Sequence, residues 1–294
     1  MLFTFFIITL FAHPAHADLL QSFKNADAPL SGKVWDTQSR KFISLETLLK
    51  EVKPGSWLLL GETHENKDHH RFQSELIELL ATDNRLGNVA LEMAHNQQQP
   101  LLDATRAKLQ LNPNTKILPE SLKWQAGWPW DWYEAPVSAA LKFAQKVVAA
   151  DLTSEEKMKA YRNEDQKLPE GTQEYQRFML DLLYDSHCGK MPKSQLGNMM
   201  NVQHARDQGM LGAMQQNTDK EGINILLAGT VHTRYDIGIP YWAKSLDSIT
   251  ILMLAADQST DLADYYPKSY SDKPVADYLL FTPPIEYQEQ SICQ

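Results

Sequence analysis

The chain has 294 residues, 43% hydrophobic and 22% charged, which is ordinary for a globular protein and long enough for one large domain or two. A formal net charge of −9 argues against nucleic acid as a partner, because phosphate binding needs a basic surface.

Met1 to Phe11 is almost wholly apolar, and Ala15-His16-Ala17 has the small-x-small form of a secretory cleavage site. The apolar run is too short to span a bilayer, and no cysteine beside the site offers a lipid anchor. Residues 1–17 are therefore expected to be a signal peptide. The product after cleavage near Ala17 would be soluble, periplasmic or secreted, with no stable membrane anchor. Cys188 and Cys293 are the two cysteines. In an oxidising compartment they would pair or stay as free thiols; their positions do not choose.

Ser44 to Lys50 reads as a short helix with a Ser start, broken by Pro54-Gly55. Trp57-Leu58-Leu59-Leu60 is then an apolar run ending in Gly61-Glu62-Thr63-His64, the pattern of a buried strand opening into a polar loop. His69 to Asp83 carries Phe72, Leu76, Ile77, Leu79 and Leu80 at helical spacing. Asn88 to Glu92 is the next strand, so strand–helix–strand order predicts a parallel pair with a right-handed crossover.

From Asn96 the pattern turns helical. Gln97 to Leu111, Pro136 to Asp151, Ser154 to Lys167, Gln173 to Tyr184 and Lys193 to Gln216 are the expected helices. Trp124-Gln125-Ala126-Gly127-Trp128-Pro129-Trp130-Asp131-Trp132-Tyr133 holds four of the seven Trp. It suits a packing hub, a flat aromatic face for a ligand or a dimer surface. Ile223 to Gly229 and Ser248 to Ala255 resume the sheet, and the last forty residues, rich in Tyr and Pro, read as an irregular wrap. The expected fold is α/β, a mostly parallel central sheet flanked by helices. Residues 18–96 and 218–294 would form its core domain, and 97–217 a smaller all-helical insertion.

Gly229-Thr230-Val231-His232 repeats the Gly-x-x-His of Gly61 to His64. Three strand ends would thus bring His64, Glu92 and His232 to one sheet edge, where ligand sites of open α/β sheets lie. Such a set would ligate a divalent metal, perform metal-free hydrolysis with Glu as base and His as acid or orienter, or form a polar cluster that fixes loops. Glu62, Glu65 and Asp68 are candidates to hydrogen-bond the imidazoles.

Leu60-Gly61-Glu62-Thr63-His64 with His69-His70 and Gln73, then Leu91-Glu92-Met93, resembles the ChaN-like haem-binding family. So do Ser186-His187-Cys188-Gly189-Lys190-Met191-Pro192, Gln203-His204-Ala205-Arg206-Asp207, and Ala228 to His232 with Gly238-Ile239-Pro240. The resemblance runs from about 58 to 242. It implies a parallel sheet with a helical subdomain, and haem at a homodimer interface beside iron-regulated haem-transport systems. A Tyr of one subunit would ligate iron and a His of the other would touch a propionate. The candidates are Tyr184, His187, His204 and Tyr133, with Tyr184 or His187 on the iron; Arg234 would suit a carboxylate or propionate, or equally a surface salt bridge. Met191, Met199, Met200, Met210 and Met214 would soften the pocket. Unlike the best-known relatives, the chain lacks a lipidated Cys. The paired Gly-x-x-His also resembles, more distantly, the group containing TIKI proteases and erythromycin esterases, which implies a hydrolase.

Overall fold

Short apolar runs form the strands, and in the computed structural model they all feed one sheet. The structure describes residues 19–24, 27–163 and 171–285. The expected signal peptide and Cys293 lie outside the described residues. Along the chain, α1 (Gln21–Lys24) precedes a small hairpin of β1 (Val34–Asp36) and β2 (Lys41–Ile43), and α2 (Leu45–Glu51) leads into β3 (Trp57–Glu62). Then come α3 (Lys67–Thr82), β4 (Leu86–His95), α4 (Gln99–Leu111), α5 (Trp130–Phe143) and β5 (Val147–Asp151). Three helices follow, α6 (Ser154–Tyr161), α7 (Gln173–Ser186) and α8 (Lys193–Gln216). The chain closes with β6 (Ile223–Gly229), α9 (Thr230–Thr233), α10 (Ile239–Trp242), β7 (Ser248–Ala255) and β8 (Tyr278–Thr282).

Local signals start the helices. Ser44 caps α2 by accepting from the Thr47 N–H, and Asn66 caps α3 by accepting from the amides of Asp68 and His69. Thr153 and Glu156 form a reciprocal capping box on α6.

The eight strands described are ordered β2-β1-β8-β7-β3-β6-β4-β5. From β8 to β5 every pairing is parallel; only β1 with β2 and β1 with β8 are antiparallel. The expected mostly parallel α/β sheet is therefore what forms. Side chains of β3 alternate between its faces. Leu58 and Leu60 join the core under α3, α4 and α5, with Leu76, Ile77, Leu102, Val137 and Leu141. Trp57 and Leu59 pack on the other face, with Met210 and Met214 of α8 and Ile239 of α10. All six residues of β3 are buried, so the strand is fixed from both sides. Burying each such leucine is worth roughly 1.5–3 kcal/mol.

Three sequence expectations need correction. β3 and β4 are parallel but not neighbours: β6 lies between them and pairs with both. The segment 97–217 is not all helical, because Val147–Asp151 forms the edge strand β5 against β4. Tyr278 belongs to strand β8, not to an irregular wrap. No described helix is long and apolar enough to cross a membrane.

Candidate polar centre and helical face

The two Gly-x-x-His turns leave adjacent parallel strands, and each turn packs on the other. A Cβ on Gly61 would sit 2.3 Å from Thr233 Oγ1, and one on Gly229 would sit 2.8 Å from His64 Nε2. Glycine is required in both places by close approach rather than by backbone angle.

Glu62, the last residue of β3, points to the face covered by α3 and α5. Its Oε1 accepts from His64 Nδ1 at 2.9 Å and from the Tyr133 hydroxyl at 2.7 Å, and its Oε2 accepts from Gln73 Nε2 at 2.5 Å. His70 Nε2 lies 3.4 Å from the same Oε2. Burial works to raise the Glu62 pKa, but the hydrogen bonds and charges of His64 and His70 prevail and hold it at about 2. Tyr133 is pushed far up by burial and by the Glu62 charge, so its hydroxyl stays a donor.

Glu92 points to the opposite face, toward α8. Three cationic or protonatable groups converge on its Oε1: Arg206 Nη2 at 2.6 Å, His232 Nε2 at 3.4 Å and His64 Nε2 at 4.0 Å. Its Oε2 accepts the Gly229 N–H at 2.6 Å. Although burial opposes ionisation, the charges of His232 and Arg206 hold Glu92 well below the usual carboxylate range. His232 donates through Nδ1 to Asp207 at 2.6 Å. Burial would lower His232, yet the Glu92 charge, then Asp207, lifts it to about 9. His64 is likewise raised against its burial, by the Glu62 hydrogen bond and the Glu92 charge. Arg206 also grips Asp151 of β5 through Nε and Nη2, at 2.9 and 3.0 Å, and Lys157 reaches Asp151 at 2.5 Å. Gln203, Arg206 and Asp207 sit at i, i+3 and i+4, so one stripe of α8 faces the whole centre.

The side chain of His64 is 35% exposed, whereas Glu62 and Glu92 are fully buried. Beside it stands an aromatic wall. Trp128 meets His64 edge-on at 4.9 Å between ring centres, and Trp124, Trp130 and Tyr133 continue the contact.

The structure thus brings His64, Glu92 and His232 together, as the strand ends predict. As ligands of a divalent ion they do not fit, because Arg206 already neutralises the shared Glu92 oxygen. Among the described residues no group of three His, Cys, Asp or Glu is spaced to hold a metal. Of the expected imidazole partners only Glu62 serves. Glu65 is exposed, and Asp68 pairs with Arg71 at 2.8 Å. Arg206, Asp207 and Asp151 were not assigned roles from the sequence, although Arg206 and Asp207 lie in a motif quoted for the family resemblance. The i, i+3, i+4 spacing of Gln203, Arg206 and Asp207 on one helix is the signal that places the two charged residues.

The haem candidates separate into two groups. Tyr133 is spent on Glu62, as above. His204 is buried; its Nε2 is hydrogen-bonded to the Tyr175 hydroxyl at 2.7 Å, inside a cluster with Tyr241 and Trp242, and burial lowers it to about 4. Arg234 is buried in a two-point pair with Asp236 and donates to the Lys268 carbonyl, so no propionate is needed to satisfy it. Tyr184 and His187, by contrast, are half-buried where α7 turns toward α8. His187 Nδ1 donates to the Leu183 carbonyl at 2.7 Å. A carbonyl can only accept, so that bond leaves the Nε2 lone pair of a neutral ring available for a metal. Gly189 has φ +64°, and a Cβ there would meet the Tyr184 ring at 3.3 Å; glycine lets the turn close over the tyrosine. Cys188 in the same turn is disulfide-bonded. Met191, Met199 and Met200 near this turn are half-buried, whereas Met210 and Met214 belong to the core against the sheet. These residues fit a haem: an oxygen and a nitrogen donor beside adaptable apolar side chains.

A parallel sheet with a polar centre at its carboxyl edge and a helical layer beside it defines an α/β ligand-binding scaffold. The family model described as haem-binding uptake, Tiki superfamily, ChaN matches residues 48–242, and the chain belongs to that family. Among solved structures it is similar to ChaN of Campylobacter jejuni, described as binding haem cofacially, at 26% identity and a TM-score of 0.69. That match covers 84% of this chain and 95% of the other. More distant are a Bacillus cereus protein (14% identity, TM-score 0.40, 72% and 68% of the two chains) and a mutant erythromycin esterase, EreC, in its open conformation (13%, 0.45, 85% and 83%). A comparison with curated protein sequences finds no match.

Proposed function

We propose that this protein binds haem on the face formed by the end of α7 and the start of α8, as a homodimer, in exported haem or iron uptake. The observation that carries the reading is the family match across 48–242, together with the described cofacial haem binding of the Campylobacter jejuni relative. Tyr184 and His187 are the residues assigned to it, one to the iron and one to the iron or a propionate. Bound haem would be cargo, and a tyrosinate would hold it in the ferric state. Half-buried methionines around the turn would take the porphyrin edge and exclude water.

The test is a hemin titration of residues 18–294 followed by absorbance and size exclusion together. A saturable Soret change with a ferric high-spin charge-transfer band and a shift to dimer is the expected result. Tyr184→Phe should remove the charge-transfer band, and His64→Ala should leave it intact. Broad, unsaturable absorbance without a change in size would refute the reading.

A second reading, hydrolysis at the polar centre, is favoured by one observation: the only partly exposed member of the trio, His64, is held in a single tautomer by Glu62. That leaves Nε2, 4.0 Å from Glu92 Oε1, as the nitrogen that can accept or return a proton. Hydrolysis of ester substrates lost in His64→Ala but kept in Tyr184→Phe would support it.

A further inference from the structure

We infer that Arg206 takes the place of a divalent cation at the polar centre, so that His64, Glu92 and His232 form a site that excludes metal. The inference is independent of haem binding on α7 and α8. Three imidazole and carboxylate side chains from three neighbouring strands have the composition of a metal site with open positions. What differs is the occupant of the central position. The oxygen that would bridge to an ion, Glu92 Oε1, is taken by a guanidinium nitrogen at 2.6 Å, while Gly229 N–H takes the other oxygen at 2.6 Å. His232 spends Nδ1 on Asp207, and its Nε2 faces the same Oε1 at 3.4 Å.

The guanidinium is itself anchored from behind by two bonds to Asp151 and has a side-chain exposure of 16%. Arginine cannot shed its proton to admit an ion, as a lysine can when buried beside one. A divalent ion near Glu92 would therefore face a fixed positive charge at contact distance, with both Glu92 oxygens already taken. Arg206 neutralises Glu92 and Asp207 pairs with His232, so the charge of the centre is already balanced, which is the work a metal does in a comparable ligand set.

The test uses equilibrium dialysis of the full protein against Zn²⁺ or Mn²⁺, with metal content measured by plasma mass spectrometry. His64→Ala, at the partly exposed residue, subtracts metal bound elsewhere. The wild type is expected to hold no metal that His64→Ala removes. Arg206→Gln should acquire a stoichiometric ion, lost again when combined with His64→Ala. A wild-type protein that binds a stoichiometric, His64-dependent ion overturns the inference, as does a folded Arg206→Gln variant that takes none. If Arg206→Gln does not fold, the comparison of wild type with His64→Ala still decides.

Discussion

The His64 ring lies against Gly229, so close that a Cβ on that glycine would sit 2.8 Å from Nε2. The contact ties the end of β3 to the end of β6 and aims His64 between two buried carboxylates. Gly229→Ala should therefore displace the imidazole from its 2.9 Å bond with Glu62 and cost about 1–3 kcal/mol, the usual range for overpacking a filled site. Gly212 in α8 is the control, because nothing lies within 4 Å of a Cβ there. Gly212→Ala should stabilise by about 0.4–1 kcal/mol through the unfolded chain. Urea unfolding of both variants checks the pair; equal effects would mean that the His64 contact carries no weight.

The same centre sets the pH profile of stability. Glu62 is held at about 2 against an ordinary 4.5, so its contribution is complete above 4.5 and is lost as pH falls toward 2. His232 is raised to about 9 from 6.5, so its contribution is complete below 6.5 and is lost as pH rises toward 9. His69 and His204, lowered by burial to about 3 and about 4, act in the opposite sense: they cost stability as pH falls below 6.5, because the unfolded chain takes up their protons first. Urea midpoints across pH 4 to 9 should therefore decline on both flanks. His232→Gln should flatten the alkaline flank and leave the acid one; an unchanged alkaline slope would show that His232 is not charged in the folded protein.

Much of this was legible in the chain. β3 and β6 announce themselves because each is an apolar run stopped by Gly and a polar turn, and position alone then delivers His64 and His232. β5 was hidden because Val147-Val148-Ala149-Ala150 follows α5 with no Gly or Pro between them, and Ala favours helix over strand. The insertion of β6 between β3 and β4 is a matter of pairing across more than 120 residues, which periodicity along the chain does not carry. Nothing along the chain separates Glu62 from Glu65 and Asp68 as a partner for the imidazoles. Only Tyr133, arriving from α5, and Gln73, from α3, make it the buried partner of His64.

His204 shows how a residue in a family-like motif serves the core. Its bond to Tyr175 joins α8 to α7, so Tyr175→Phe should cost about 1 kcal/mol, the net worth of one buried hydrogen bond. The variant should bind hemin as the wild type does, because the aromatic ring that packs on Tyr241 and Trp242 remains. Denaturation and hemin titration on the same sample separate the two roles. A hemin spectrum altered by Tyr175→Phe while stability is unchanged would return His204 to the ligand site.

Among the described strands β5 is one edge of the sheet, and it supplies the last prediction. β5 ends the strand order, so its outer N–H and C=O groups would be open to pairing with another chain. Gln99 covers part of that edge: its carboxamide donates to the Val147 carbonyl at 2.8 Å and accepts the Ala149 N–H at 2.8 Å, the two bonds a neighbouring strand would make. Gln99→Ala should lose about 1–2 kcal/mol and uncover two backbone groups on β5. Because α4 and α8 still flank the strand, the fold should persist, and the change should show as concentration-dependent association in light scattering. Gln99→Glu separates the causes: it keeps the acceptor for Ala149 but faces the Val147 carbonyl with charge, so it should lose stability yet resist association through repulsion. Association equal to that of the alanine variant would mean that the exposed edge of β5 is not what pairs.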